Sequence, residues 1–205
     1  MRSLLMAATS ALILAGGASA QSLDETAEAN YSLDKGHAFL TWTVSHNGLS
    51  SYTVNFTDFD ADIDFNPASP VESSISLTIN PVALETNYPE AEKKAEWETE
   101  LATDDKFLNG DEHPEITFVS TSVEQNGDNT GIVTGDLTFR GVTQSVPVEV
   151  TYNGTGNAPW FGERDLIGFD AVTTISRSDF GVTAMVPMIS DEVVIEFSGE
   201  FLQDE

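Results

Sequence analysis

Apolar and polar residues alternate with a period close to two over most of the chain after Tyr31. Leu40, Trp42 and Val44 share one face of a predicted strand, and the polar residues between them share the other face. This alternation is typical of an antiparallel strand that is buried on one side. Similar patterns predict further strands over residues 54–65, 75–79, 116–123, 132–139, 146–152, 169–175 and 193–201. The chain is therefore predicted to be all-β, with about eight strands.

Turn signals separate these strands. The apolar positions change parity between Phe56 and Phe59, which predicts a bulge or bend near Thr57 and Asp58. Glycine, proline and asparagine predict turns over residues 67–70, 126–129 and 153–159 and at Gly141. Short strands separated by turns fit either a β-sandwich or a closed barrel, and the alternation alone leaves both open.

One segment, residues 89–102, departs from the two-residue period. It is rich in helix formers, has a proline at its start, and places Ala91, Ala95 and Leu101 at helical spacing. We predict one short amphipathic helix here. It lies either across one end of the domain, with Trp97 and Leu101 inward, or on a surface loop.

The first 20 residues have the pattern of a secretory signal. Arg2 precedes an apolar run from Leu4 to Ala15, and Ala18-Ser19-Ala20 is a small-residue cleavage motif. The run is shorter than the roughly 20 residues that a membrane-spanning helix needs. We therefore expect a cleaved signal peptide, export of the mature chain and no stable insertion into the membrane. The predicted organisation is a signal peptide over 1–20, a flexible leader over 21–30 and one domain over 31–205.

Composition excludes several classes of function. The chain has 34 Asp and Glu against 8 Lys and Arg, a formal net charge of −26, which repels nucleic acid. It has no cysteine, so cysteine catalysis, thiolate metal sites and disulfides are excluded. We expect a monomer or a homodimer.

The alternating acids Asp58, Asp60, Asp62 and Asp64 superficially resemble the start of a calcium-binding loop. That loop requires glycine at its sixth position and glutamate at its twelfth, and neither is present here. We therefore expect the outward, solvated face of a strand, with weak binding of a divalent cation as the alternative.

The histidines do not predict a metal site. His37 and His46 are nine residues apart, which places them on opposite faces of one continuous strand. His46 shares the parity of Trp42 and Val44, so it is either a structural histidine at a strand end or a polar group that binds a ligand. The chain has no nucleophile elbow and no phosphate-binding loop. We predict no catalytic residue, no metal ligand and no cofactor.

Positive charge is scarce, which draws attention to Arg177 in the motif Arg177-Ser178-Asp179-Phe180-Gly181. We expect Arg177 to pair with Asp179 or to cap the turn after its strand. The alternative is an arginine that binds the anionic headgroup of a ligand.

The segment from Val133 to Val148 has the cadence G-D-L-T-x-x-G-V-T-x-x-V-x-V, two strands joined by a turn that contains glycine. Other short motifs accompany it in a fixed order. They are Tyr31-Ser32-Leu33-Asp34 with His37, Val44-Ser45-His46-Asn47-Gly48, Glu85-Thr86-Asn87, Asp104-Asp105-Lys106-Phe107-Leu108, His113-Pro114-Glu115-Ile116-Thr117-Phe118, Gly168-Phe169, and Arg177 to Gly181. In this order the chain resembles the YceI-like family of periplasmic polyisoprenoid-binding proteins, from about residue 31 to residue 201.

The resemblance implies a lipocalin-like antiparallel β-barrel whose apolar interior holds a long isoprenoid chain, and so favours the barrel over the sandwich. It implies a binding or carrier protein rather than an enzyme, with an isoprenoid or another long apolar lipid as its partner. The resemblance and the alternation along the strands together predict which residues bind the ligand. They are Leu40, Trp42, Val44, His46, Phe56, Leu77, Ile79, Ile116, Phe118, Leu137, Val148, Val150, Phe169, Ile175, Arg177, Ile195 and Phe197.

The chain departs from the family pattern in one segment. Relatives usually follow the Thr-Asn pair with a histidine and then an Arg-Asp-x-His-Leu run. Here Tyr88 stands at the first histidine, the segment is rich in glutamate, and Glu100 precedes Leu101. The loss of these basic groups favours a neutral headgroup, such as a quinone or an isoprenoid alcohol, over a pyrophosphate.

Two other functions remain open. One is an exported stress or interaction protein whose barrel is filled by its own side chains. The other is an enzyme that acts on a lipid inside the barrel, with His46 as its base.

Overall fold

The computed structural model describes residues 23–205, and the predicted signal peptide lies outside the described residues. Ten strands and one α-helix follow one another along the described chain. They are β1 (Ala29–His46), β2 (Ser50–Phe56), β3 (Phe59–Phe65), β4 (Ser74–Ile79), β5 (Leu84–Glu85), α1 (Ala91–Thr103), β6 (Ile116–Gln125), β7 (Thr130–Phe139), β8 (Val142–Asn157), β9 (Asp165–Ser176) and β10 (Ile189–Gln203). None of the described helices is long and apolar enough to cross a bilayer.

The sheet closes on itself. Its strands run in the order β1-β3-β4-β6-β7-β8-β9-β10, and β10 pairs back with β1 along most of its length. Every pairing is antiparallel. The prediction of an antiparallel barrel with about eight strands and one helix is confirmed, and the sandwich alternative is wrong.

Strand β1 is long enough to serve two neighbours. Its first residues pair with β3, with Tyr31 opposite Ile63, and its last residues pair with β2, with Trp42 opposite Val54. The bend predicted near Thr57 and Asp58 is the break between β2 and β3. Beyond this break, β2 pairs with β1 on one side and with the short β5 on the other.

The alternation along the strands separates the core from the surface. In β3, Phe59, Ala61, Ile63 and Phe65 are buried and the aspartates between them are exposed. The prediction of a solvated acidic face is therefore confirmed.

Aromatic rings pack together where β1 begins. Phe65 stacks on Tyr152 at 5.8 Å between ring centroids and meets Phe169 edge-on at 5.6 Å. Tyr31 is fully buried beside them, and this burial raises the pKa of its hydroxyl to about 12. The cluster occupies the end of the barrel opposite to the β1–β2 turn.

Residues 23–30, expected as a loose leader, contain a 3-10 turn (Leu23–Glu25) and the first two residues of β1. Leu23 packs against the core, and the hydroxyl of Thr26 is hydrogen-bonded to that of Tyr152. These contacts hold the segment against the barrel wall.

The β7–β8 hairpin has a two-residue turn at Arg140 and Gly141, both with positive φ (51° and 72°). This geometry matches the right-handed twist of the strands, which confirms the predicted hairpin.

The turn predicted over residues 153–159 is wrong. Strand β8 continues to Asn157 because the pairing with β9 shifts between Tyr152 and Gly154 and then resumes. Gly154, at φ 128°, absorbs the irregularity.

Candidate ligand cavity

The barrel encloses an apolar cavity of about 580 Å³. Every residue predicted for the ligand site borders it: Leu40, Trp42, Val44, His46, Phe56, Leu77, Ile79, Ile116, Phe118, Leu137, Val148, Val150, Phe169, Ile175, Arg177, Ile195 and Phe197. Their role in binding a ligand stays a prediction. The volume lies in the range of small-molecule and cofactor pockets.

Register explains why these side chains meet. Leu40 lies directly opposite Phe197 and Trp42 opposite Ile195, so inward residues of β1 and β10 face the cavity side by side. Side chains alternate between the two faces of a strand. The apolar residues at alternate positions of the other strands therefore also face the barrel interior.

Sequence reasoning missed part of the lining. Ala61, Ile63 and Phe65 of β3 also border the cavity, and their strict alternation with aspartate was the signal that marks them as inward. Tyr52, Tyr88 and Phe107 border it too. They come from strand β2 and from the chain on either side of the helix, so no single local pattern groups them.

The helix lies at one end of the cavity, which it borders through Trp97 and Leu101. The Trp97 indole nitrogen donates a hydrogen bond to the Tyr52 hydroxyl oxygen at 2.9 Å, and the Trp97 ring meets Phe107 edge-on at 5.6 Å. Leu101 is buried. Of the two placements considered for the helix, the structure has the one across the barrel end.

A carboxylate fixes the helix to the preceding segment. Glu98 accepts hydrogen bonds from the backbone N–H (2.7 Å) and the hydroxyl (2.9 Å) of buried Thr86, and Lys94 lies 2.9 Å from it. Burial raises the pKa of Glu98, but the bonds from Lys94 and Thr86 outweigh burial and lower it overall.

His46 lies at the same end of the cavity and is exposed. Its Nδ1 lies 3.0 Å from the Asn47 side-chain nitrogen, which donates to it. Among the described residues no carboxylate is hydrogen-bonded to His46, so it lacks the orienting partner of a triad histidine.

Arg177 does not pair with Asp179, so the prediction of that pair is wrong, whereas the alternative prediction, that Arg177 caps the turn after its strand, is confirmed. Its buried guanidinium instead donates to four backbone carbonyls, those of Val182 (3.4 Å), Ala184 (2.8 Å), Ile189 (3.0 Å) and Ser190 (2.8 Å). Asp179 is exposed, and the nearby carboxylate is Asp191, which accepts from Ser178. Burial lowers the pKa of Arg177, and Asp191 opposes this shift. The arginine holds the loop over residues 182–190 in place.

The indole nitrogen of Trp42 is buried and has no hydrogen-bond partner among the described residues. Trp42 borders the cavity from the last third of β1. A buried donor without an acceptor costs about 1–3 kcal/mol, so this group favours an acceptor supplied by a bound molecule.

The geometry of the barrel and its interior agrees with the comparisons with known proteins. The model of the YceI-like domain matches residues 31–201. The chain belongs to the YceI-like family. A UPF0312 protein from Pseudomonas putida, a curated relative, is 41% identical over 171 residues, which cover 82% of this chain and 84% of the relative.

Solved YceI-like and related structures share the fold. BcnA of Burkholderia cenocepacia superposes with a TM-score of 0.69 at 23% identity, over 84% of this chain and 99% of that protein. A polyisoprenoid-binding domain from Saccharophagus degradans superposes with a TM-score of 0.59 at 15% identity, over 85% of this chain and 98% of that domain. At these identities the likeness concerns the fold alone.

Proposed function

We propose that this YceI-like protein binds and carries a long-chain isoprenoid, or a similar apolar lipid, in the barrel interior without covalent chemistry. The observation that carries the proposal is the enclosed cavity of about 580 Å³ with its apolar lining. Each isoprenoid carbon buried there contributes about 0.8 kcal/mol, so several isoprene units bind without any charged contact. The polyisoprenoid-binding domain that shares the fold supports the same ligand class.

The ligand's headgroup is a neutral one, such as a quinone or an isoprenoid alcohol. Tyr52, Tyr88 and Trp97, which carry neutral polar groups, border the cavity at the end where the helix lies. Arg177, the one Lys or Arg among the described residues that border it, already donates to four carbonyls. The unpartnered Trp42 indole supplies a donor for one uncharged oxygen.

The protein works in the periplasm as a carrier after export. The signal pattern over residues 1–20 supports this location. The cavity also argues against the alternative of an interaction protein, because that protein's own side chains would fill the barrel.

Native mass spectrometry of mature protein recovered from the periplasm of its host, followed by organic extraction, tests the proposal. A stoichiometric isoprenoid supports it and identifies the headgroup. Empty protein that also fails to bind added polyprenols and quinones contradicts it. A second titration compares a polyprenol with the polyprenyl pyrophosphate of the same chain length. We expect the alcohol to bind at least as tightly, and a clear preference for the pyrophosphate would contradict the neutral headgroup.

A further inference from the structure

Two loops at the barrel end that holds His46 expose apolar side chains. Leu49, in the β1–β2 turn, is 88% exposed, and Met188, in the loop before β10, is 60% exposed. Met185 and Val186 in the same loop are also exposed. The backbone N–H of Asn47 donates to the Met188 carbonyl at 2.6 Å, so the two loops are in contact. We call Leu49, Met185, Val186 and Met188 the mouth patch.

The mouth patch is continuous with the cavity. Met185 is exposed to solvent and also borders the cavity, together with its neighbours Ala184 and Ile189. An apolar ligand that passes this end of the barrel therefore stays against apolar side chains.

The loop that carries most of the patch is held in place rather than free to fold inward. Arg177 donates to the carbonyls of residues on both sides of Met185 and Val186, at positions 182, 184, 189 and 190. Met185 itself has a φ of 60°, a conformation that residues other than glycine rarely adopt. The hydrogen bonds of the buried Arg177 thus hold the loop in a conformation that leaves its three apolar side chains exposed to solvent.

The two loops that carry the patch contain no charged residue. Residues 38–57 and 180–190, which include the whole mouth patch, contain no Asp, Glu, Lys or Arg, although the chain has 34 acidic residues. Anionic lipid headgroups repel the acidic remainder of the surface. The two loops that carry the mouth patch therefore bring no negative charge of their own to a bilayer surface.

We propose that the mouth patch docks the barrel reversibly onto the surface of a lipid bilayer, so that the ligand passes between membrane and cavity without crossing water. Leu49 and Met188 enter the boundary between headgroups and acyl chains, as the apolar side chains of peripheral proteins do. A bilayer is favoured over a protein partner because Met185 of the patch also borders the cavity, and the apolar occupant proposed for that cavity resides in membranes. The inference rests on the proposed function, since it takes the ligand to be a membrane lipid.

Vesicle flotation of the mature protein tests the proposal, with vesicles of phosphatidylethanolamine and a minority of phosphatidylglycerol. The test variant is Leu49→Asp/Met188→Asp. The matched control is Phe39→Asp/Trp160→Asp, which adds the same charge at side chains that are 68% and 76% exposed, away from the mouth. A second measurement follows transfer of a fluorescent polyprenol analogue from the vesicles to the protein.

We expect the mouth variant to lower both vesicle partitioning and transfer rate by at least about 10-fold, because two apolar side chains no longer leave water. Its equilibrium affinity for the analogue dispersed in detergent stays unchanged, and the control variant behaves like the wild type. The proposal is overturned by wild-type protein that does not float with vesicles, by a mouth variant that floats equally well, or by an equal loss in the control. Failure of the proposed function is distinct, since wild-type protein would then not bind the analogue in detergent at all.

Discussion

The indole N–H of Trp97 on the helix donates to the hydroxyl oxygen of Tyr52 on β2, with 2.9 Å between the two atoms. The bond joins an inserted helix to the barrel wall at a point where both side chains border the cavity. Together with the bonds of Glu98 to Thr86 and the packing of Leu101, this bond sets how firmly the helix covers the cavity.

Tyr52→Phe leaves the Trp97 indole without its acceptor. We expect a loss of about 1 kcal/mol in the free energy of unfolding and an increase of a few-fold in the ligand's dissociation rate. Urea denaturation and stopped-flow displacement measure the two effects. The double variant Tyr52→Phe/Trp97→Phe removes donor and acceptor together, so it should recover part of the stability. A Tyr52→Phe protein with unchanged stability and unchanged dissociation rate would contradict this role for the bond.

Variants of Arg177 show whether this cation holds the loop over residues 182–190 or binds the ligand. Arg177→Met leaves four backbone carbonyls without their donor, and we expect it to lower the free energy of unfolding by about 3 kcal/mol or more. Arg177→Lys keeps the charge but not the planar fork of donors, so its loss should be intermediate. Arg164→Met is the control, because Arg164 is only half-buried and donates at 3.4 and 3.5 Å; its loss should stay within about 1 kcal/mol.

Ligand titrations of the same variants complete the test. If Arg177 bound an anionic headgroup, Arg177→Lys would weaken polyprenyl pyrophosphate selectively and leave the polyprenol unaffected. Such selective weakening, with unchanged stability, would contradict the loop-holding role.

The contrast between the inner wall and Arg177 shows what the sequence could reveal. The inward position of Leu40, Trp42 and Val44 follows from a two-residue period that each strand carries by itself. The partners of Arg177 are backbone carbonyls of a loop whose path depends on β10 returning to β1. No residue pattern marks a carbonyl as an acceptor, so the nearest acid, Asp179, was the wrong partner.

The continuation of β8 to Asn157 has a similar cause. Asn153 and Gly154 are turn formers in isolation, but pairing with β9 outweighs that local preference and leaves a register shift in place of a turn. Closure of the barrel and the placement of the helix likewise depend on contacts that are distant in sequence. The family resemblance, rather than periodicity, favoured the barrel in advance.

A pH-dependent ion pair lies on the outer wall. His37 Nδ1 is 2.9 Å from a carboxylate oxygen of Asp34, which raises the pKa of His37 and lowers that of Asp34. The stabilisation from Asp34 is present above its ordinary pKa of 3.8 and is lost as pH falls through the lowered value. The stabilisation from His37 is present below its ordinary pKa of 6.5 and is lost as pH rises through the raised value.

Asp34→Asn should therefore lower the free energy of unfolding most between pH 3.8 and pH 6.5, where both groups contribute fully. In an NMR titration of the histidine rings, the His37 pKa should fall towards its ordinary value in this variant. Asp64→Asn, a change at an exposed aspartate of β3, is the control and should leave the His37 titration unchanged. An unaltered His37 pKa in Asp34→Asn would contradict the pairing.

The unpartnered donor in the cavity wall predicts how Trp42 responds to mutation. Trp42→Phe removes a buried N–H that lacks an acceptor, so the empty protein should lose little stability despite its smaller ring. Affinity for a polyprenol should fall by about 1 kcal/mol, while affinity for a hydrocarbon of the same length without oxygen should stay nearly constant. Isothermal calorimetry with the two ligands measures the difference. Equal losses for both ligands would assign Trp42 to packing alone.

The cavity volume sets a limit on the length of chain that the barrel holds. Apolar carbons gain affinity only while they lie inside the apolar lining. Across a ladder of polyprenols, affinity should therefore rise with each isoprene unit until the interior is full and then level off, because further units remain outside it.

A bulkier side chain in the cavity wall should lower the chain length at which affinity levels off. Val150 borders the cavity from β8, and Val150→Trp places an indole where the ligand chain would lie. We expect the affinity plateau to move down by about one isoprene unit while the shortest polyprenols bind as before. The control is Val194→Trp, the same substitution at an exposed valine of β10, which should leave the whole ladder unchanged. A plateau that is identical in Val150→Trp and wild type would show that the chain lies elsewhere than in the barrel interior.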